Sequence, residues 1–167
     1  MTISVGLRKL ALTVHVTCSV GWFGAVAAFL ALAIVGLTSE DELRVRAAYI
    51  AMGMTARLVI VPLSIASPIS GLLQSLISKV GLIRHYWVIV KALMTIPATA
   101  FLLLHMQTVA RVAASATQGP LLDGVQGLPA QLAANALFAM LVLLTTTALS
   151  VYKPRGMTAH GRRATMA

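Results

Sequence analysis

Two ionisable side chains stand where the sequence is otherwise apolar, and any chemistry in this chain must use them. Lys91 lies five residues into the run YWVIVKALMTIPATAFLLLH, which begins at Tyr86 and ends at His105. His15 lies five residues into a second apolar run that begins at Leu10. A lysine ammonium presents a full positive charge with three donors, and a neutral imidazole presents one donor and one nitrogen that can ligate a metal. At one depth in a membrane, such a pair could hold an anionic ligand. It could also present an axial ligand to a haem iron while the cation meets a propionate. Tryptophans accompany both residues. His15, Ser19 and Trp22 share a helix face at i, i+4 and i+7, with Cys18 beside them, and Trp87, Lys91, Thr95, Ala98, Leu102 and His105 form a stripe on the other run. His15, Lys91, Trp22 and Trp87 are therefore the candidate binding residues, and Arg57 is a further cation inside an apolar stretch. The packing alternative is that His15 donates to a carbonyl or to Ser19 while Lys91 and Arg57 stretch to the headgroups. Both readings stand at this level.

The elements that position these residues are membrane spans. The composition is 59% hydrophobic and 10% charged, with mean hydropathy +0.90, and the apolar runs approach or exceed the twenty residues a bilayer core requires. This predicts an all-α, integral membrane four-transmembrane-helix bundle with spans at about 10–37, 47–76, 86–106 and 132–152. Residues 1–152 form one domain, and the basic segment 153–167 lacks an apolar period and is expected to be disordered. The first span has no charge over 28 residues, too long for the apolar part of a signal peptide. Gly21, Gly24, Ala25, Ala28 and Ala31 fall near one side of it. Small residues at this spacing suit close helix approach, so Gly21, Gly24 and Ala28 are the candidate contact with a partner or a second copy.

Helix 2 is expected to start near Glu40, with Ser39 and Glu42 as a capping box and Glu40/Arg44 and Glu42/Arg46 as i,i+4 pairs. Pro62 and Pro68 should distort it, with Ser64, Ser67 and Ser70 able to bond freed carbonyls. The alanine-rich stretch Val109 to Ala116 reads as a short separate surface helix within a long connection.

The charge balance is +9, but the basic residues flank apolar runs, so the bilayer and not a nucleic acid accounts for them. With the N-terminus inside, Arg8, Lys9, Lys79, Arg84, Lys153, Arg155, Arg162 and Arg163 fall inside, and Arg44, Arg46 and Arg111 fall outside. This bias predicts four spans with both termini in the cytoplasm. A single cysteine excludes an intramolecular disulfide and a cysteine-cluster metal site. None of the four acidic residues lies in a span, so a carboxylate proton relay is unavailable and Lys91 lacks an ion partner in the chain. A transporter, which would use such groups and inverted repeats, ranks behind a ligand-binding protein and behind an accessory subunit.

The pattern His15-(six residues)-Trp22-Phe23-Gly24, followed by Trp87-(three residues)-Lys91, resembles a group of bacterial four-span proteins. These comprise the HemJ-type protoporphyrinogen oxidases, the CopD membrane domain and uncharacterised relatives. The run from His85 to Thr95, with Leu102 to Met106, is most similar to the uncharacterised group. The resemblance covers the first three spans and implies haem b as cofactor, with His15 and Lys91 as the functional pair. Two departures accompany it: no Pro-Arg follows the Trp-Phe element, and His105 lies farther from Lys91 than in the HemJ pattern. The soft ligands a CopD-like copper role would need are few here. A bis-histidine haem using His15 and His105 is excluded by depth, since the two differ by roughly 20 Å at 1.5 Å per residue. His105 is expected to bond a polar group on a neighbouring helix, such as Asn135.

Overall fold

A computed structural model describes residues 4–77, 86–117, 121 and 125–152. The tail 153–167, the connection 78–85 with His85, and His160 lie outside the described residues.

Four helices, each long and apolar enough to cross a membrane, make the bundle. Helix α1 is Val5–Thr38. Helix α2 is built from three consecutive pieces, Glu42–Thr55, a π-helical turn Ala56–Ile60, and Val61–Ile77. Helix α3 is Tyr86–Ser115 and α4 is Leu128–Tyr152. Helix α1 packs against α2 and α4, α3 packs against the same two, and α1 and α3 face each other across the diagonal. The four expected spans are present, and each helix extends beyond the expected bounds.

These extensions have local causes. Helix α3 continues through the stretch expected to form a separate surface helix. No Gly or Pro lies between Met106 and Ser115, and Val109, Val112 and Ala116 carry its buried stripe forward at i, i+3 and i+7. Its last carbonyls are partly met by Arg46, whose Nη1 donates to Ala116 O at 3.0 Å. The same guanidinium grips Glu42 at 2.6 and 2.9 Å, so the expected Glu42/Arg46 pair forms. Glu42 therefore does not close a capping box with Ser39. Asp41 is the N-cap, accepting from Leu43 N at 3.0 Å, while Ser39 Oγ accepts from Asp41 N at 3.2 Å. Helix α4 begins earlier than expected because Pro129 sits in its first turn, where a missing N–H costs nothing. Gly127, at φ 84, supplies the left-handed residue before it.

The prolines of α2 act in two ways. Pro62 would clash with the Leu58 carbonyl and leave it without a donor in a regular α-helix. The chain widens to a π turn just before it, with Val61 N bonding Ala56 O. Pro68 leaves the Ser64 carbonyl open, and Thr99 of α3 donates to that oxygen at 3.0 Å. Thr99→Val keeps the side-chain shape and removes this donor. It is expected to cost about 1 kcal/mol, the worth of one net hydrogen bond. A thermal melt in detergent should shift down by about 2–4 °C. An unchanged melt would mean the carbonyl finds another donor.

The buried interior divides along the bundle axis. Toward the α1–α2 turn it is apolar, with Val26, Phe29, Tyr49, Met52, Val112 and Leu132 at its centre. Toward the end that holds Val5 and Tyr152 it is polar, with Ser64, Ser67, Ser70, Thr99 and Thr146 buried. The candidate residues sit in this polar half.

Candidate functional site

Antiparallel packing of α1 on α2 sets His15 opposite a run of serines. His15 Nδ1 lies 3.1 Å from Ser67 O and 3.2 Å from Ser70 Oγ. A carbonyl oxygen only accepts, so Nδ1 carries the proton and Nε2 the lone pair. Ser70 Oγ donates to Ser67 O at 3.0 Å, and Ser19 Oγ pairs with Ser67 Oγ at 2.8 Å. Ser19 thus bonds α2 and not His15. Gly71 lets the ring lie close, because a Cβ there would stand 2.8 Å from His15 Cε1. This is the carbonyl contact the packing alternative anticipates, and it also leaves the imidazole in the tautomer an axial ligand needs.

Lys91 turns inward, to α4. Its Nζ donates to Ser150 Oγ at 2.6 Å, and that hydroxyl donates to Thr146 O at 2.8 Å. The ammonium also lies 5.7 Å from the centroid of the Trp87 ring, within cation–π range. Trp87, Lys91, Thr95, Ala98, Leu102 and His105 are each half-buried while Ile89, Val90, Leu93, Ile96, Phe101 and Leu104 are exposed, so the expected stripe is the inward face of α3.

Matched hydrogen bonds place the two ionisable groups in depth. Thr99 opposite Ser64 sets Lys91 level with about residue 72 of α2, and His15 is bonded at Ser67 and Ser70. The difference is roughly one turn at 1.5 Å per residue. The two groups share no bond: His15 is held by α2 and Lys91 by α4, across the α1–α3 diagonal.

Trp22 closes the site toward the apolar half. It is 3% exposed, and its Nε1 is buried without a hydrogen-bond partner. This orphaned indole donor and the Lys91 ammonium stand at different depths, since Gly21 meets Leu63 while Lys91 is level with about residue 72 of α2. Arg57 does not join it. It lies exposed on the π turn of α2. His105 bonds the Phe101 carbonyl of its own helix at 2.9 Å, with the two rings 4.0 Å apart, and Asn135 Nδ2 is buried without a partner, so the expected pairing of His105 with Asn135 is not made.

Ser150 and the Ser67–Ser70 pair were not among the sequence candidates. Their signals are the polar residues Thr145, Thr146, Thr147 and Ser150 near the end of an otherwise apolar α4, and the i, i+3, i+6 spacing of Ser64, Ser67 and Ser70. The small residues of α1 divide between two faces. Gly21 meets Leu63, with a built Cβ 3.1 Å from its Cδ1, and Ala25 is buried, while Gly24, Ala28 and Ala31 are exposed. Gly21 therefore serves packing within the bundle, and Gly24, Ala28 and Ala31 face outward.

Among the described residues, no group of three or more His, Cys, Asp and Glu side chains is placed to hold a metal ion. A haem needs less. His15 Nε2 could supply one axial bond, and Lys91 could meet a propionate. No protein family matches this chain, and no curated protein or solved structure does. The resemblance drawn from His15, Trp22, Trp87 and Lys91 therefore rests on those residues themselves.

Proposed function

We propose that the polar half of this four-helix membrane protein binds an amphiphilic ligand bearing carboxylates, with haem b or a related tetrapyrrole as the first candidate. One observation carries this reading. Lys91 is a cation at lipid depth, compensated by a hydroxyl and an aromatic face but by no carboxylate, since the four helices contain no acidic residue apart from Glu42 at the start of α2. Charged groups at that depth are costly and by default mark function. Lys91 and the Trp22 indole are donors, so the complementary ligand is an acceptor. Its apolar body would lie among apolar side chains and lipid while its carboxylates meet Lys91. A bound haem would supply redox chemistry. The chain would supply an axial imidazole pre-oriented by Ser67 and a cation for the propionates. The charge distribution supports cytoplasmic termini, and the resemblance to bacterial four-span proteins suggests a bacterial inner membrane.

An accessory subunit is the second reading, favoured by the exposed line Gly24, Ala28 and Ala31 on α1. The experiment that separates them is a visible absorption spectrum of the purified protein, as isolated and after dithionite. The ligand reading predicts a Soret band with reduced α and β bands, lost in His15→Ala and retained in Ala28→Leu. A spectrum that stays featureless after added haemin would remove haem and favour the accessory role, in which Gly24→Leu and Ala28→Leu break an assembly.

A further inference from the structure

The four helices are longer than a bilayer needs, and the exposed residues of α2, α3 and α4 say which part lies in lipid. Equivalent levels follow from contacts between antiparallel neighbours. Thr99 bonds Ser64, and a Cβ on Gly53 would stand 2.8 Å from Ala113 Cβ, so Arg57 is level with about residue 108 of α3. Lys91 bonds Ser150, so residue 110 of α3 is level with about residue 131 of α4. Arg57, Gln107, Arg111 and Gln131 are all exposed, and all fall within about one helical turn of a single level. At the other end, Tyr86 and Tyr152 are exposed, beside the exposed Arg8 and Lys9 of α1. From Tyr86 to Gln107, and from Gln131 to Tyr152, the rise is roughly 31 Å at 1.5 Å per residue. From Arg57 to Leu76 it is roughly 28 Å by the same rise. These are close to the thickness of a hydrocarbon core, about 30 Å. Between the two levels the exposed large side chains of α3 are apolar, among them Ile89, Leu93, Ile96, Phe101 and Leu104.

We infer that Arg57, Gln107, Arg111 and Gln131 form a girdle at the phospholipid headgroups, with the two arginines contacting lipid phosphates, and that the bundle beyond it stands in water as a helical head. The head comprises the end of α1, the first part of α2 from Glu42, and α3 from about Arg111 to Ser115. Its interior provides a second, independent argument. Hydrophobic burial drives helices together in water but has little purchase in lipid, where packing of small residues and hydrogen bonds take over. Of the four largest fully buried side chains, three fall in the head. Tyr49, Met52 and Val112, each 1% exposed, pack in the head. Below the girdle the helices are joined by His15–Ser67, Ser19–Ser67, Thr99–Ser64 and Lys91–Ser150. The position of Arg57 is thereby explained: it marks the headgroup level and not the middle of the bilayer.

Cysteine accessibility tests this placement without reference to any bound ligand. In a Cys18→Ala background, single cysteines replace the exposed residues Ala47, Ala114, Ala100 and Leu137, and the protein is placed in lipid nanodiscs, where both faces meet solvent. A sulfonated, membrane-impermeant maleimide is added, and each labelling yield is normalised to that in SDS. A thiol in apolar surroundings rarely reaches the reactive thiolate, so Ala47→Cys and Ala114→Cys should label at least about tenfold faster than Ala100→Cys and Leu137→Cys. Labelling of Ala114→Cys as slow as that of Ala100→Cys would put the head in lipid and overturn the placement.

Discussion

Lys91→Met is expected to weaken binding of a dicarboxylate porphyrin by about 10- to 150-fold, since hydrogen bonds to charged groups are worth about 1.5–3 kcal/mol. Methionine keeps the stem against Trp87 and removes the charge. Ser150 loses a donor but keeps its own bond to Thr146 O, so little else is disturbed. The same change should raise the stability of the ligand-free protein. A half-buried cation without a carboxylate partner is a burden at this depth, and exchanging it for an apolar side chain should contribute about 1 kcal/mol or more. The two signs together mark a binding role. A residue that only held α3 on α4 would lose stability when replaced. A titration paired with a thermal melt reads both, and a lower melting temperature with unchanged porphyrin affinity would assign Lys91 to packing.

Gly36→Val should produce the largest loss of stability in the head. A Cβ on Gly36 would overlap the ring of Tyr49, which is 1% exposed, and Tyr49 Oη donates to Gly36 O at 2.8 Å. The tyrosine cannot yield without opening the core around Met52. The expected cost is about 2–4 kcal/mol, combining overpacking with the lost hydrogen bond. For a chain of this length that corresponds to a melting temperature lower by about 5–15 °C. Tyr49→Phe removes the hydroxyl alone and should cost about 1 kcal/mol. Circular dichroism melts of the two variants separate the contributions, and equal losses would mean that the ring contact at Gly36 is unimportant.

The spans could be read from the sequence because apolar runs of that length have few other uses, and the inward stripe of α3 because helical spacing alone sets which side chains share a face. Depth was legible for the same reason: His15 and Lys91, each counted from the end of its own run, came out at one level. Partner choice was not. Whether His15 turns to α2 or into the bundle depends on which helices are neighbours, and the diagonal placement of α1 and α3 is a property of packing that no single run encodes. The π turn before Pro62 was hidden in a different way. A proline announces a distortion, but whether the helix kinks, widens or borrows a donor such as Thr99 depends on what lies opposite. Val109 to Ala116 reads as a helix separate from the span because Gln107 and Arg111 interrupt the apolar run, although its buried positions continue the helical period of α3.

The central claim is that Lys91 and His15 receive a carboxylate-bearing ligand, and the protein carries its own reporters of that event, since its two tryptophans are Trp87, against Lys91, and Trp22, about two turns along α1 from His15. The decisive measurement is tryptophan emission in lipid nanodiscs during titration with protoporphyrin, compared with its dimethyl ester, which has the same apolar body and masked carboxylates. The account predicts saturable, one-to-one quenching by the free acid, with the ester quenching only weakly and without saturation. Identical quenching curves for acid and ester would contradict it.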